Sequence, residues 1–416
     1  MSAASPKRLQ PVTDIPALRA DFPVLHQSVR GFPLAYLDNA ASSQLPQAVI
    51  DAINTQQSRN HANVHRGVHQ LSERSTAAYE GAREAVRGYI NAAGTEEIVF
   101  TRGTTEAINL VAASLGGQIL APGDEVLITW MEHHSNIVPW QLICERSGAR
   151  LVPVPITDRG ELDLDAFSQL LNEKTKIVAF VHVSNALGTV NPARELIRLA
   201  HDAGAIVVVD GAQAMPHGRV DVQALDCDFY AFSGHKMFAP TGIGVLYGKA
   251  ALLDSMPPYQ GGGEMILTVS FDSIRYNALP YKFEAGTPNI TGAIGLGATI
   301  DYLSAIDFDA LARHETELLG YASQRLLEID GARIIGTAEH KASVLSFVLD
   351  GIHAHDLGTI VDGAGVAIRT GHHCAMPVME RFGIAATARA SFALYNNMDD
   401  VDRLMEGLRQ AMEIFA

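Results

Sequence analysis

Cysteine is scarce in this chain of 416 residues: there are three, Cys144, Cys227 and Cys374. Three thiols without metal-ligand spacing exclude a disulfide scaffold and fit a reducing compartment, so the chain reads as cytoplasmic. Long hydrophobic runs are missing too. The longest, such as Ala205–Val209 and Ile177–Val181, fall far short of the ~20 residues that cross a bilayer. Met1–Ala20 mixes Lys7, Arg8 and Asp14 with three prolines, which is not the pattern of a secretory signal. Basic charge is in deficit. Lys+Arg number 31 against 46 Asp+Glu, a formal net charge of −15, and a phosphate polyanion needs the opposite balance, so neither nucleic acid nor membrane is expected as a partner. What the chain does have is 47% apolar residues, ample for a core. At roughly 150 residues per domain it divides into two or three domains and has the size of an enzyme.

The middle of the chain alternates strand-like and helix-period segments. Glu97–Thr101, Glu125–Thr129, Arg150–Pro153, Ile177–Val183, Ala205–Asp210, Asp228–Phe232 and Gly244–Tyr247 read as strands. Thr105–Leu115, Asn136–Arg146 and Pro192–Ala203 read as helices. Near-continuous apolar strands between helices indicate a parallel sheet covered on both faces. Ligands of such sheets lie beyond the carboxyl ends of the strands, which singles out Thr104, His133, Asn185, Asp210 and Ser233. Tyr259–Thr287, rich in Gly and Pro, reads as an irregular crossing or a piece that reaches a partner subunit. From about residue 295, a long helical stretch over Gly295–Ser304 and Phe308–Ile329, a strand at Val344–Asp350 and a last strand–helix pair describe a smaller α/β domain.

The strongest local signal is Phe232-Ser-Gly-His-Lys236 followed by Pro240-Thr-Gly-Ile-Gly244. A lone lysine on a turn is usually a surface residue. Just past a buried strand, desolvation frees its amine to attack a carbonyl as a Schiff-base lysine. Asp210 strengthens that reading. A carboxylate at the tip of a buried strand can cap the next turn of the chain, or hold a pyridinium nitrogen protonated. Gln213, three residues on, is within reach of the same cofactor's phenolic oxygen. Arg102-Gly-Thr-Thr-Glu106 opens a helix after a strand, where free N–H groups and the hydroxyls of Thr104 and Thr105 favour an anion; ordinary capping is the alternative. His133, in Glu132-His-His-Ser-Asn136, is placed to stack on a flat ring.

Cys374 lies in Arg369-Thr-Gly-His-His-Cys-Ala-Met-Pro377, with two histidines and an arginine within five residues, a field that favours the thiolate. His372, His373 and Cys374 are adjacent, so they cannot comfortably share one tetrahedral zinc ion, and no metal is expected. Cys144 and Cys227 read as buried structural thiols. Arg389, with Arg369 as a second candidate, can clamp a substrate carboxylate.

Together these segments resemble the class V aminotransferase group of fold-type I pyridoxal-phosphate enzymes. More narrowly the chain is similar to cysteine desulfurases of the SufS type. The similarity runs from Tyr36-Leu-Asp-Asn-Ala-Ala41 to the C-terminus. It includes Asn63-Val-His-Arg-Gly67, Asp210-Gly-Ala-Gln213, Phe283-Glu-Ala-Gly-Thr-Pro-Asn289 and, most specifically, Arg369-Thr-Gly-His-His-Cys374. The resemblance implies an α/β fold: a large domain over 31–295 with a mostly parallel seven-stranded sheet flanked by helices, a small C-terminal domain over 296–416 that carries the cysteine loop, and a segment 1–30 packed on the small domain. It implies pyridoxal 5'-phosphate on Lys236, with Asp210 on the ring nitrogen, Gln213 on the phenolic oxygen, His133 stacked, and Thr104, Thr105, Ser233 and His235 at the phosphate. Thr287 would reach the phosphate of a neighbouring subunit, which requires a homodimer. Asn185 and Arg389 would bind the substrate carboxylate, and His65 and Arg369 would line the pocket.

The activity implied is conversion of L-cysteine to L-alanine. Lys236 would move the α-proton, His133 or Lys236 would supply protons, and Cys374 would take the sulfur as a persulfide. The short cysteine loop implies that a SufE- or SufU-like acceptor protein comes to the site and feeds iron–sulfur cluster assembly. A selenocysteine lyase shares this fold and cofactor. Kynureninase-like or simple aminotransferase activity is the other alternative, and Cys374 in its basic loop argues against it.

Overall fold

The computed structural model describes residues 11–415; the part of the expected N-terminal segment at 1–10 lies outside them. A seven-stranded sheet forms the centre of the larger unit. Its order is Ile98–Thr101, Gly244–Gly248, Phe229–Ser233, Ile206–Asp210, Thr175–Val181, Glu125–Thr129 and Arg150–Val154. The last five pair in parallel. Gly244–Gly248 runs antiparallel to both neighbours. Strands such as Ile206–Asp210 are runs of β-branched residues buried almost throughout, as a sheet covered on both faces demands. The antiparallel member has the same apolar look, so its direction was not visible in composition.

Helices begin where a side chain can take a free N–H. Asp163 caps Ala166, Asp307 caps Asp309 and Ala310, and Asn289 caps Gly292. Asn289 starts the helix Ile290–Ser304, which packs on Gln70–Tyr89. The approach is close enough that a Cβ on Gly297 would sit 2.9 Å from Ala82 Cβ. A division at residue 295 therefore falls inside one continuous helix. The helix expected over Thr105–Leu115 is Thr104–Val111, and it widens into a π turn at Ala112–Gly116.

The second sheet, Ala332–Ile335, Val344–Leu349, Thr387–Ser391 and Arg369–Gly371, is antiparallel throughout. It is covered by Phe308–Leu327, Ala354–Gly363 and Met398–Phe415, whose apolar faces share one core. The N-terminal part of the chain reaches this region. Arg19 donates to Asp400 at 2.9 Å and to the Tyr395 carbonyl at 2.8 Å, and Ala35–Tyr36 pairs with Val366–Ala367. The crossing expected to be irregular over Tyr259–Thr287 contains a hairpin, Ile266–Val269 with Ile274–Tyr276. Most of its side chains are exposed on both faces, so no alternation marks it. Among the described residues no helix is long and apolar enough to cross a membrane.

Candidate active site

The strand ends of the central sheet open on a cavity of about 240 Å³ at the seam with the antiparallel sheet. Thr104, Thr105, His133, Asn185, Asp210, Ser233, His235 and Lys236 line it from the large unit, and Arg369 and Arg389 from the small one. These are the residues that the strand-end rule and the motifs selected. Four others stand off it. Gln213 is buried behind the wall and donates from Nε2 to the Ala40 carbonyl at 2.6 Å. Cys374 is the next residue after His373, which does line the cavity. His65 and Thr287 do not line it within one chain. His65 pairs with Glu80 at 2.8 Å. Thr287 is exposed and borders a separate cavity with Arg102 and Glu106.

One end of the cavity is built by close backbone approach. Gly103 has a positive φ of 154°, and Gly244 lies so near that a Cβ there would sit 2.5 Å from Gly103 Cα. Only glycine permits both. The helix Thr104–Val111 therefore points its first N–H groups at the site. The Thr104 N–H donates to Ser233 Oγ at 2.8 Å, and the two hydroxyl oxygens are also 2.8 Å apart.

At the other end, Asp210 is buried and Lys236 half-buried. Burial pushes the Asp210 carboxyl up and the Lys236 amine down, each opposed by the other's charge; Arg389 and Arg369 lower the amine further. His133 is lowered to about 3, first by burial and then by its neighbours Lys236, His134, Arg369 and Arg389. It is therefore a neutral ring, and its Nδ1 pairs with Ser135 Oγ at 2.8 Å. Burial and Lys236 lower His235 to about 4.

The carboxyl Oδ1 of Asp210 also accepts from the Ala212 N–H at 3.0 Å, which fixes the acid at the strand tip. Glu132, just before His133, is 0% exposed and raised by burial to about 8. The cysteine loop enters from the small sheet. Asn185 Nδ2 donates to the His373 carbonyl at 2.7 Å, and the His134 N–H to the Cys374 carbonyl at 2.7 Å. His373 and Cys374 both hold left-handed φ, 52° and 56°.

Three residues that the motifs did not assign belong here. Ser135 orients His133, and Asp38 accepts from Arg389 Nη2 at 3.0 Å. His373, on the wall, bonds Thr387 Oγ1 through Nε2 at 2.7 Å. Asp38 lies within the quoted Tyr36–Ala41 segment, the one sequence signal that could have found it. Buried Asn185 Oδ1, Arg389 Nε and His373 Nδ1, all on cavity residues, have no partner among the described protein atoms. Buried polar atoms left so are expected to meet a bound group. An anion cradle, an acid–amine pair and three orphaned polar atoms around one small cavity fit pyridoxal 5'-phosphate with an amino-acid substrate. Among the described residues no cluster of His, Cys, Asp or Glu has the geometry of a metal site.

Comparison with known proteins agrees. The class V aminotransferase family matches residues 35–404, and the chain belongs to it. The fold is that of pyridoxal-phosphate enzymes of this class. Relatives over nearly the full chain are cysteine desulfurases. A cysteine desulfurase of Dickeya dadantii is 54% identical over 95% of this chain and 96% of its own. A probable cysteine desulfurase of Halalkalibacterium halodurans is 53% identical over 95% and 97%. Against a cysteine desulfurase of Synechococcus elongatus, 53% identical, the chain spans 63% of that protein's length. The crystal structure of the cysteine desulfurase CsdA from Escherichia coli superposes with a TM-score of 0.91 at 41% identity, covering 97% of this chain and all of that one. Within the family, then, the chain falls among the cysteine desulfurases, enzymes dependent on pyridoxal 5'-phosphate.

Proposed function

We propose that this enzyme converts L-cysteine to L-alanine and leaves the sulfur as a persulfide on Cys374. The observation that carries the reading is the tether between the cysteine loop and the catalytic wall. Asn185 and His134 grip the carbonyls of His373 and Cys374, and His373 shares the cavity with Lys236. Lys236, Asp210, His133, Thr104, Thr105, Ser233 and His235 would hold pyridoxal 5'-phosphate, with Gln213 behind Ala40. When bound, the cofactor holds the substrate amine and takes up the electron pair released at Cα.

The chain's own residues do the rest. Arg389 and Asn185 orient the substrate carboxylate. Lys236, its amine lowered by burial against the pull of Asp210, moves the proton from Cα. Neutral His133 stacks and can pass a proton to Cβ. The Cys374 sulfur attacks the substrate sulfur. A sulfur–sulfur bond forms, the Cβ–S bond breaks, and its electron pair with a proton completes the methyl group of alanine. Cysteine plus thiol gives alanine plus persulfide, with no outside oxidant.

The loop is short and tied at several points, so the persulfide is handed over in place. A SufE- or SufU-like acceptor protein in a reducing compartment is the proposed partner, and iron–sulfur cluster assembly the destination. Thr287 and His65 stand off this cavity in one chain, which supports a homodimer that shares its sites. The test is mass spectrometry of the enzyme after L-cysteine without reductant. The Cys374 peptide is expected to gain one sulfur while alanine is released in equal amount. Alanine release with sulfur on no cysteine refutes the reading.

A further inference from the structure

The imidazoles of His134 and His372 have no role in the chemistry above, yet both touch the cysteine loop through an accepting nitrogen. His372 Nδ1 accepts the Cys374 N–H at 3.0 Å. His134 Nε2 accepts the Met376 N–H at 3.2 Å, and the same residue's N–H donates to the Cys374 carbonyl at 2.7 Å. The two rings lie 5.6 Å apart, tilted by 31°. At the first accepted N–H the chain runs through two consecutive left-handed residues, His373 just before it and Cys374 itself. Such backbone persists only where its surroundings over-determine it. A protonated imidazole nitrogen cannot accept, so this grip exists only while both rings are neutral on those atoms.

We propose that His134 and His372 are positioning residues, a paired acceptor clamp that holds Cys374 against the site at neutral pH and lets it go on acidification. The inference rests on the reading of Cys374 as the sulfur acceptor. Its sign comes from proton counting: the clamped loop binds fewer protons than the released one, so acid favours release. The groups that face the pair reinforce it. From the large unit this is His133, held neutral, its ring centroid 6.3 Å from that of His134. From the small one they are His373 and the Cys374 thiol, next to His372 in the chain; the cations Lys236, Arg369 and Arg389 act on His133, and the two arginines on His373. Apart from the two histidines themselves, every charged group that shifts His133 or His373 is a cation. Partial burial and His372 already lower His134, and protonating both rings would set two like charges side by side. Both histidines are part-exposed, so solvent protons reach them without unfolding.

The experiment measures alkylation of Cys374 by iodoacetamide in the holoenzyme from about pH 5 to about pH 8, the range over which histidine titrates. Cys227 is 0% and Cys144 5% exposed, so the peptide readout belongs to Cys374. His134→Gln keeps an accepting oxygen at similar reach and does not titrate. His134→Ala has no acceptor. The ratio of wild type to His134→Gln cancels the thiolate fraction. It is expected to be near one at the alkaline end and to rise about tenfold at the acid end, the size of one modest hydrogen bond. His134→Ala is expected to react fast throughout. A ratio that stays flat with pH overturns the proposal. Hydrogen exchange at the Met376 amide of the wild type gives a second measurement should the alanine variant not fold. Protection corrected for intrinsic rate is expected to fall with acid, and constant protection overturns the clamp. Neither readout uses turnover, so failure of the clamp and failure of Cys374 as sulfur acceptor are told apart.

Discussion

Arg389 on the strand Thr387–Ser391 donates from Nη2 to Asp38 Oδ1 at 3.0 Å, and so joins the antiparallel sheet to the loop after Ala35–Tyr36. From Nη1 it donates to the Asn185 carbonyl, also at 3.0 Å. Two anchors from two directions fix the plane of the guanidinium, and Nε is buried without a partner among the described residues. Burial lowers Arg389 to about 10, against the pull of Asp38. At neutral pH it therefore remains a cation, ready for a carboxylate.

That geometry predicts the outcome of Arg389→Lys. Lysine keeps the charge and loses the planar fork. Charge-assisted hydrogen bonds are worth about 1.5–3 kcal/mol each, so kcat/KM for L-cysteine is expected to fall about 100-fold, mostly through KM. The cofactor absorbance should stay unchanged. Asp38→Asn keeps a neutral acceptor for Nη2 and is expected to cost about tenfold. Steady-state alanine release checks both. An Arg389→Lys enzyme with unchanged KM would remove Arg389 from substrate binding.

Among the residues that line this cavity, Lys236 alone carries an amine, the group a covalent, borohydride-reducible adduct requires. Lys236→Ala is expected to give protein without that adduct and with turnover down at least about 1,000-fold, since it removes a nucleophile and a proton carrier together. Reduction followed by peptide mass mapping checks it. An adduct of the alanine variant on another lysine would reassign the cofactor.

Much of this site could be read from the chain, because strand ends are easy to find when strands are buried apolar runs. Thr104, His133, Asn185, Asp210 and Ser233 all follow or end such runs, and all line one cavity. The features that escaped depend on pairing and not on pattern. The antiparallel strand Gly244–Gly248 has the composition of its parallel neighbours. Ser135 matters only because it faces His133 Nδ1, and Asp38 only because a strand some 350 positions away presents Arg389. The hairpin Ile266–Tyr276 is exposed on both faces, so it carries no period to detect.

Cys374 is part-exposed, whereas Cys144 and Cys227 are buried, with thiols pushed up by burial. Cys374→Ala is therefore expected to abolish alanine and sulfide release from L-cysteine, while the cofactor spectrum and the substrate-induced change in it remain. Selenocysteine is expected to keep part of its turnover, because selenium is the better leaving group and needs less help from a nucleophile. Parallel assays with the two amino acids check this. Full activity of Cys374→Ala toward cysteine would end the persulfide assignment.

Glu132 gives a prediction about pH and stability. Its carboxyl sits between the end of the strand Glu125–Thr129 and the turn that carries His133. It meets Thr129 Oγ1 at 2.5 Å, the Val181 N–H at 2.9 Å and Asn136 Nδ2 at 2.6 Å. A neutral acid satisfies all three, by donating to Thr129 and accepting from the others. Burial raises Glu132 from 4.5 to about 8, opposed by those contacts. Between these two values the folded protein keeps a proton that the unfolded chain has released. Its contribution to stability is therefore complete below about pH 4.5 and is lost as pH rises to about 8, by up to about 1.4 kcal/mol per pH unit. Glu132→Gln cannot ionise, but its amide must point a donor at one of two donors, which costs about 1–3 kcal/mol. The variant is expected to be less stable than wild type near the acid end of that window and to lack the decline toward the alkaline end. About two pH units of wild-type slope equal the cost of the mispaired amide, so the two curves should cross inside the window. Urea denaturation of the holoenzyme across it decides the matter: parallel curves would mean that Glu132 is ionised in the folded protein.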